Sequence, residues 1–68
     1  MSGHNYGNKN IMTTVTDNPG ISINEISTLT GFGVQDIIFI INVWETDGIV
    51  CTDTNPLEHY TCVWRIPF

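Results

Sequence analysis

The feature that most restricts the fold is the passage from Asn42 to Ile66, NVWETDGIVCTDTNPLEHYTCVWRI. Here the polar end of an apolar helical stretch runs through Asp47-Gly48 into two β-rich runs. Residues 49–54 and 59–66 are dense in β-branched and aromatic side chains, and they flank the turn-forming Asn55-Pro56-Leu57-Glu58. A helix delivering the chain directly into a hairpin leaves few arrangements open to a chain of 68 residues.

Upstream, the spacing of Ile11, Met12 and Val15 suits one face of a short helix starting near Asn10, with Asn8 or Asn10 as its cap. Asn18-Pro19-Gly20 ends it. Ser22-Ile23-Asn24-Glu25 then matches a capping box, in which a hydroxyl and a carboxylate each satisfy a free backbone N–H at a helix start. The second helix is expected to carry Ile23, Ile26 and Leu29 inward and to close at Gly31. The third should run over Val34–Thr46, with Asp36 near its positive end and Gly48 as its C-cap. Ile21 would add a short strand between the first two helices. Three helices followed by a two- to three-stranded antiparallel wing make an α+β fold, a small winged helix spanning residues 10–68. Residues 1–9 show no periodic pattern and read as a tail, a cloning remnant or the end of a linker, which makes the chain a fragment of something larger.

A chain this short buries only about 60% of its unfolded surface and has no room for a site enclosed between subdomains. Its net charge is −5, from seven acidic residues against Lys9 and Arg65 alone. Phosphate backbones would be repelled and basic peptides attracted. No apolar run reaches the roughly 18 residues that span a bilayer, so no membrane partner is expected. The domain reads as soluble and intracellular.

Catalytic machinery is scarce. His4 falls in the expected tail and His59 at the start of a strand, which fits a hairpin surface residue better than a ligand. Two cysteines cannot supply a four-ligand zinc site. Neither a cofactor, a metal nor an enzymatic activity is expected. A tight turn at Asn55-Pro56-Leu57-Glu58 would set Cys51 directly opposite Cys62, both as reduced thiols.

At 100° per residue, Val34, Ile37, Ile41 and Trp44 fall together on the core side of the third helix, with Ile38 and Ile40 at the margins. Phe39 and Val43 fall on the opposite side, beside Asp36. A DNA-reading winged helix carries Arg, Lys, Asn or Gln on that face. Two hydrophobes and an acid there are either scattered surface residues, residues covered by the N-terminal tail, or an interface. In the hairpin, Tyr60, Cys62, Trp64 and Ile66 alternate onto one face with Ile49 and Cys51 across from them, while Val50 and Val63 mark the other. Alternation leaves open which face looks inward.

The order Gly20-Ile21-Ser22-Ile23-Asn24-Glu25-Ile26-Ser27, a third helix ending in Glu45-Thr46-Asp47-Gly48-Ile49-Val50, and a wing leading to Glu58-His59-Tyr60 resembles the C-terminal winged-helix domain of the middle-sized subunit of replication protein A. A telomeric or specialised replication-protein-A-like complex fits equally. The resemblance covers about residues 20–63. Its most specific parts are Asp47 to Val50, where the family has an acidic residue, Gly, any residue and Ile, and Glu58-His59-Tyr60, where it has acid, His and Phe. Cys51 departs from the family's usual Tyr, and Asn55-Pro56-Leu57 lengthens the wing tip. The resemblance implies a nuclear recruitment module. Such a domain captures basic helical segments of replication, repair or telomere proteins, while oligonucleotide-binding folds in companion subunits hold single-stranded DNA. Carried over by position, the partner-binding residues are Asp47, Gly48, Cys51, Thr52 and Asp53; Val50 adds aliphatic surface beside them, and the helical wheel leaves Phe39 and Val43 as a possible second interface.

Two competing readings come from other classes. A structural winged helix would hold an assembly together through Phe39 and Val43. A Z-form nucleic-acid-binding winged helix is suggested by the proline-containing wing before Trp64-Arg65-Ile66. That family needs Asn and Tyr one turn apart on the third helix, where this chain has Ile38 and Asn42 and no cation.

Overall fold

The computed structural model describes residues 8–67, so residues 1–7 of the expected tail and Phe68 lie outside the described residues. Helix α1 spans Asn8–Asp17, two residues earlier than the spacing of apolar residues indicated, and buries Ile11 and Val15 completely. Strand β1, Ile21–Ser22, leads without a gap into α2, Ile23–Thr30. Helix α3 follows over Val34–Thr46, then strands β2, Val50–Thr52, and β3, Cys62–Arg65. The sheet is antiparallel with the order β1-β3-β2. Three helices and this sheet give the α+β winged-helix layout.

The helix ends follow local chemistry. At α2, the Ser22 hydroxyl accepts from Glu25 N–H at 3.1 Å and the Glu25 carboxylate accepts from Ser22 N–H at 3.3 Å, closing the capping box. Gly31 ends the same helix at φ 84°, in the left-handed region that costs a side chain most. At the end of α3, Ile49 N–H donates to Trp44 C=O at 2.9 Å and Gly48 N–H to Glu45 C=O at 3.1 Å, with Gly48 at φ 78°. This pair of bonds is a Schellman closure, and it explains why Asp-Gly stands at that corner.

Between helices and sheet lies a core of Ile11, Val15, Ile21, Ile23, Ile26, Ile37, Ile41, Val50, Leu57 and Val63. Val63 sits at its centre, facing Ile21 across one strand boundary and Thr52 across the other. The inward face of the wing is therefore the Val50 and Val63 face. Cys51, Cys62 and Trp64, half-buried, lie on the outer one. Leu29 departs from its expected place: it is 63% exposed, because α2 buries only the stripe of Ile23 and Ile26 before Gly31 turns the chain away.

The wing register also differs from the tight-turn expectation. Cys51 pairs with Trp64 and Thr52 with Val63, so Cys51 does not face Cys62. Asp53 takes that place, its N–H donating to Cys62 C=O at 3.3 Å. The slip amounts to two residues, which preserves the face of every side chain. It leaves the two thiols as diagonal neighbours, a relation that separates Cα atoms by about 7–8 Å. Both are free.

The cause of the slip is the path of residues 54–61. Instead of turning tightly, this segment drops Leu57 into the core at 7% exposure and buries Thr61 completely. Glu58 N–H donates to the Thr61 hydroxyl at 2.8 Å, and Thr61 N–H returns to Glu58 C=O at 3.1 Å. The segment then caps α2: Thr61 C=O accepts from Ile23 N–H at 2.9 Å and His59 C=O from Asn24 N–H at 2.7 Å. With Glu25 N–H on Ser22, the first three donors of the helix are satisfied, two of them by the wing.

Candidate partner-binding surfaces

The six wing-side positions do not form one face. Asp47 and Gly48 are exposed at the corner where α3 gives way to β2. Cys51 is half-buried on the outer face of the sheet. Thr52 points the other way and donates its hydroxyl to the Glu45 carboxylate on α3 at 2.7 Å. Val50 is 1% exposed, so its side chain belongs to the core and offers a partner nothing. Alternation explains the correction: once Val63 is inward, so are Val50 and Thr52.

Asp53 is exposed yet committed. Its Oδ1 accepts from Cys62 N–H at 3.0 Å and from the Thr54 hydroxyl at 3.0 Å. In an antiparallel pair the main-chain carbonyl of residue 53 would take the Cys62 N–H; here a carboxylate does so. These two bonds, the backbone one first, hold the Asp53 carboxyl below its usual value of 3.8. On the same pair, partial burial and then the Asp53 charge push the Cys62 thiol up, which keeps it protonated and poorly nucleophilic. The carboxylate at the loop end of the wing is thus a structural staple first and a partner contact second.

The outward face of α3 is as expected. Phe39 is 71% exposed and Val43 45%, one turn apart, with Asp36 and Asn42 exposed beside them. Ile37 and Ile41 are fully buried, while Val34, Ile38, Ile40 and Trp44 are half-buried around them. The helix contains no Lys or Arg.

A further surface was not foreseen. A groove of about 620 Å³ opens between the end of α1 and the outer side of α2, lined by Asp17, Pro19, Gly20, Glu25, Thr28 and Leu29 among others. The spacing of Ile23, Ile26 and Leu29 concealed it, since a three-residue stripe on a short helix gives no sign that its last member has nothing to pack against. In the loop before β3, His59 and Tyr60 are exposed and meet edge to face, ring centroids 5.3 Å apart. Among the described residues, no group of three or more His, Cys, Asp or Glu lies together in a way that could hold a metal ion. Among the described residues, no single helix is long and apolar enough to cross a membrane. Comparison with protein-family models, with curated proteins and with solved structures gives no significant match.

Proposed function

We propose that this winged helix is a non-catalytic recruitment module of a nuclear single-stranded-DNA-binding complex, serving replication, repair or telomere maintenance by capturing basic amphipathic helical segments of other proteins. Companion subunits with oligonucleotide-binding folds would hold the DNA. The observation that carries this reading is the outward face of α3, where a DNA reader needs cations and this chain presents Phe39, Val43 and Asp36. The surface charge agrees with it, since a net −5 favours a basic partner. The resemblance to the replication protein A domain supplies the complex and the compartment. Its two most specific motifs also serve the fold here: Gly48 closes α3, and the His59 carbonyl caps α2.

On the wing side the contact residues are the exposed Asp47 and Gly48 and the half-buried Cys51, with Asp53 as a fixed negative charge beside them. Titration of the domain with a synthetic amphipathic helix of Leu, Ala and Arg tests the assignment. Asp47→Lys exchanges an attraction for a repulsion and is expected to weaken binding on the order of tenfold, within the range of two surface ion-pair contributions. Asp47 sits at the negative end of α3, so the cation should not harm the fold. Unchanged affinity in this variant rules out the wing as the recruitment surface.

A second reading rests on Phe39, the most exposed large hydrophobe among the described residues. In that reading the α3 face joins the domain to an assembly, and Phe39→Ser abolishes the association while leaving peptide capture at the wing intact.

A further inference from the structure

The groove beside α2 holds two side chains placed against their local preference. Asp17 is the last residue of α1, where a carboxylate meets the negative end of the helix dipole, and it has no hydrogen-bond or ionic partner among the described residues. Leu29 is 63% exposed on the facing wall, although neighbouring Ile26 is fully buried. Glu25 contributes a second carboxylate: its Oε1 accepts from Ser22, and Oε2 makes no hydrogen bond among the described residues.

The groove is preformed. Gly20 lies at its base with φ 84° against the Trp64 indole, where an added Cβ would stand 3.3 Å from Nε1. Gly20 N–H donates to Val63 C=O at 2.9 Å and Ile21 N–H to Asn18 C=O at 3.0 Å, so the Asn18-Pro19-Gly20 turn is tied to the sheet.

We infer that this groove docks a basic amphipathic segment of another protein, which lays an aliphatic side chain on Leu29 and Pro19 and a Lys or Arg between Asp17 and Glu25. An apolar wall and two carboxylates lining one groove are the complement of that ligand, as in grooves that read one apolar stripe and its charged flank. A second copy of this chain is the poorer occupant, since it brings seven acidic residues and only Lys9 and Arg65. The inference rests on the reading of the domain as a receiver of basic segments and adds to the wing a second, separate contact.

The test is a titration of the ¹⁵N-labelled domain with the same Leu, Ala and Arg helix, read by amide chemical shifts. The expected result is perturbation at Asp17, Gly20, Glu25, Thr28 and Leu29 as well as at the wing, with the affinity read from these groove amides at least about tenfold lower in both Leu29→Ser and Asp17→Lys and unchanged in Asp47→Lys, which weakens the wing shifts alone. A peptide of the same composition with its Leu residues scattered off the stripe should bind about tenfold more weakly than the stripe peptide. Leu29 is exposed and Asp17 opposes its helix, so both variants should keep the native amide dispersion; should Leu29→Ser lose it, Asp17→Lys alone decides. Perturbations confined to residues 47–53, with full affinity in Asp17→Lys, overturn the groove and leave the recruitment reading standing. Absence of peptide binding overturns both.

Discussion

Asp53 shows how one side chain can stand in for backbone. Its carboxylate takes the Cys62 N–H, so the first rung of the wing carries a charge and becomes sensitive to acid. The folded-state value lies below 3.8, so the contribution is fully present above that pH and is lost as pH falls through the lower folded value. An NMR titration of the Cys62 amide is expected to show a midpoint below 3.8 in the native domain and no such step in Asp53→Asn. A midpoint at or above 3.8 would mean that the carboxylate gains nothing from the bond. Ser22 is the second residue with a defined task. Ser22→Ala removes the acceptor for Glu25 N–H and should lower unfolding stability by about 1 kcal/mol in a denaturant melt.

At the scale of elements, the loop between β2 and β3 does more than reverse the chain. Leu57 fills the core from the loop, and Leu57→Ala should destabilise the domain by about 2–5 kcal/mol. Phe39→Ser should change the stability of the isolated domain by no more than about 0.5 kcal/mol, since its side chain stands in solvent. Denaturant melts of the two variants check both statements. The contrast marks what could be read in advance. Helices α2 and α3 were legible because capping box, glycine stops and a 3.6-residue stripe are local signals carried by Ser22, Glu25, Gly31, Gly48, Ile37 and Ile41. The wing register was not, because it depends on a long-range choice: Leu57 seeks the core and residues 59–61 seek the free N–H groups of α2. Nothing local to Asn55-Pro56 announces either. Among the candidate site residues, exposure of Phe39 and Val43 followed from the wheel. Burial of Val50 and the engagement of Asp53 required knowing which face of the hairpin turns inward.

At the scale of the whole molecule, charge and shape act together. With a net charge of −5 and no cation on α3, the domain is expected to show no measurable binding to short duplex or single-stranded DNA at physiological salt. Low-micromolar affinity in a fluorescence anisotropy titration would overturn this. Capture of a basic peptide should weaken only in part as salt rises, because screening removes the ionic contribution and leaves the apolar contact. The strand order carries one more consequence, for synthesis. β3 is the central strand and also the last of the described elements to leave the ribosome. Until it emerges, Ile21 and Val50 have no strand to pair with and Val63 is missing from the middle of the core, and until the loop just before it emerges, Ile23 N–H and Asn24 N–H lack their carbonyl acceptors. The nascent chain can wind its helices early but cannot complete its sheet by halves. Closure is a single late event, in which one strand arriving from the tunnel engages both waiting edges.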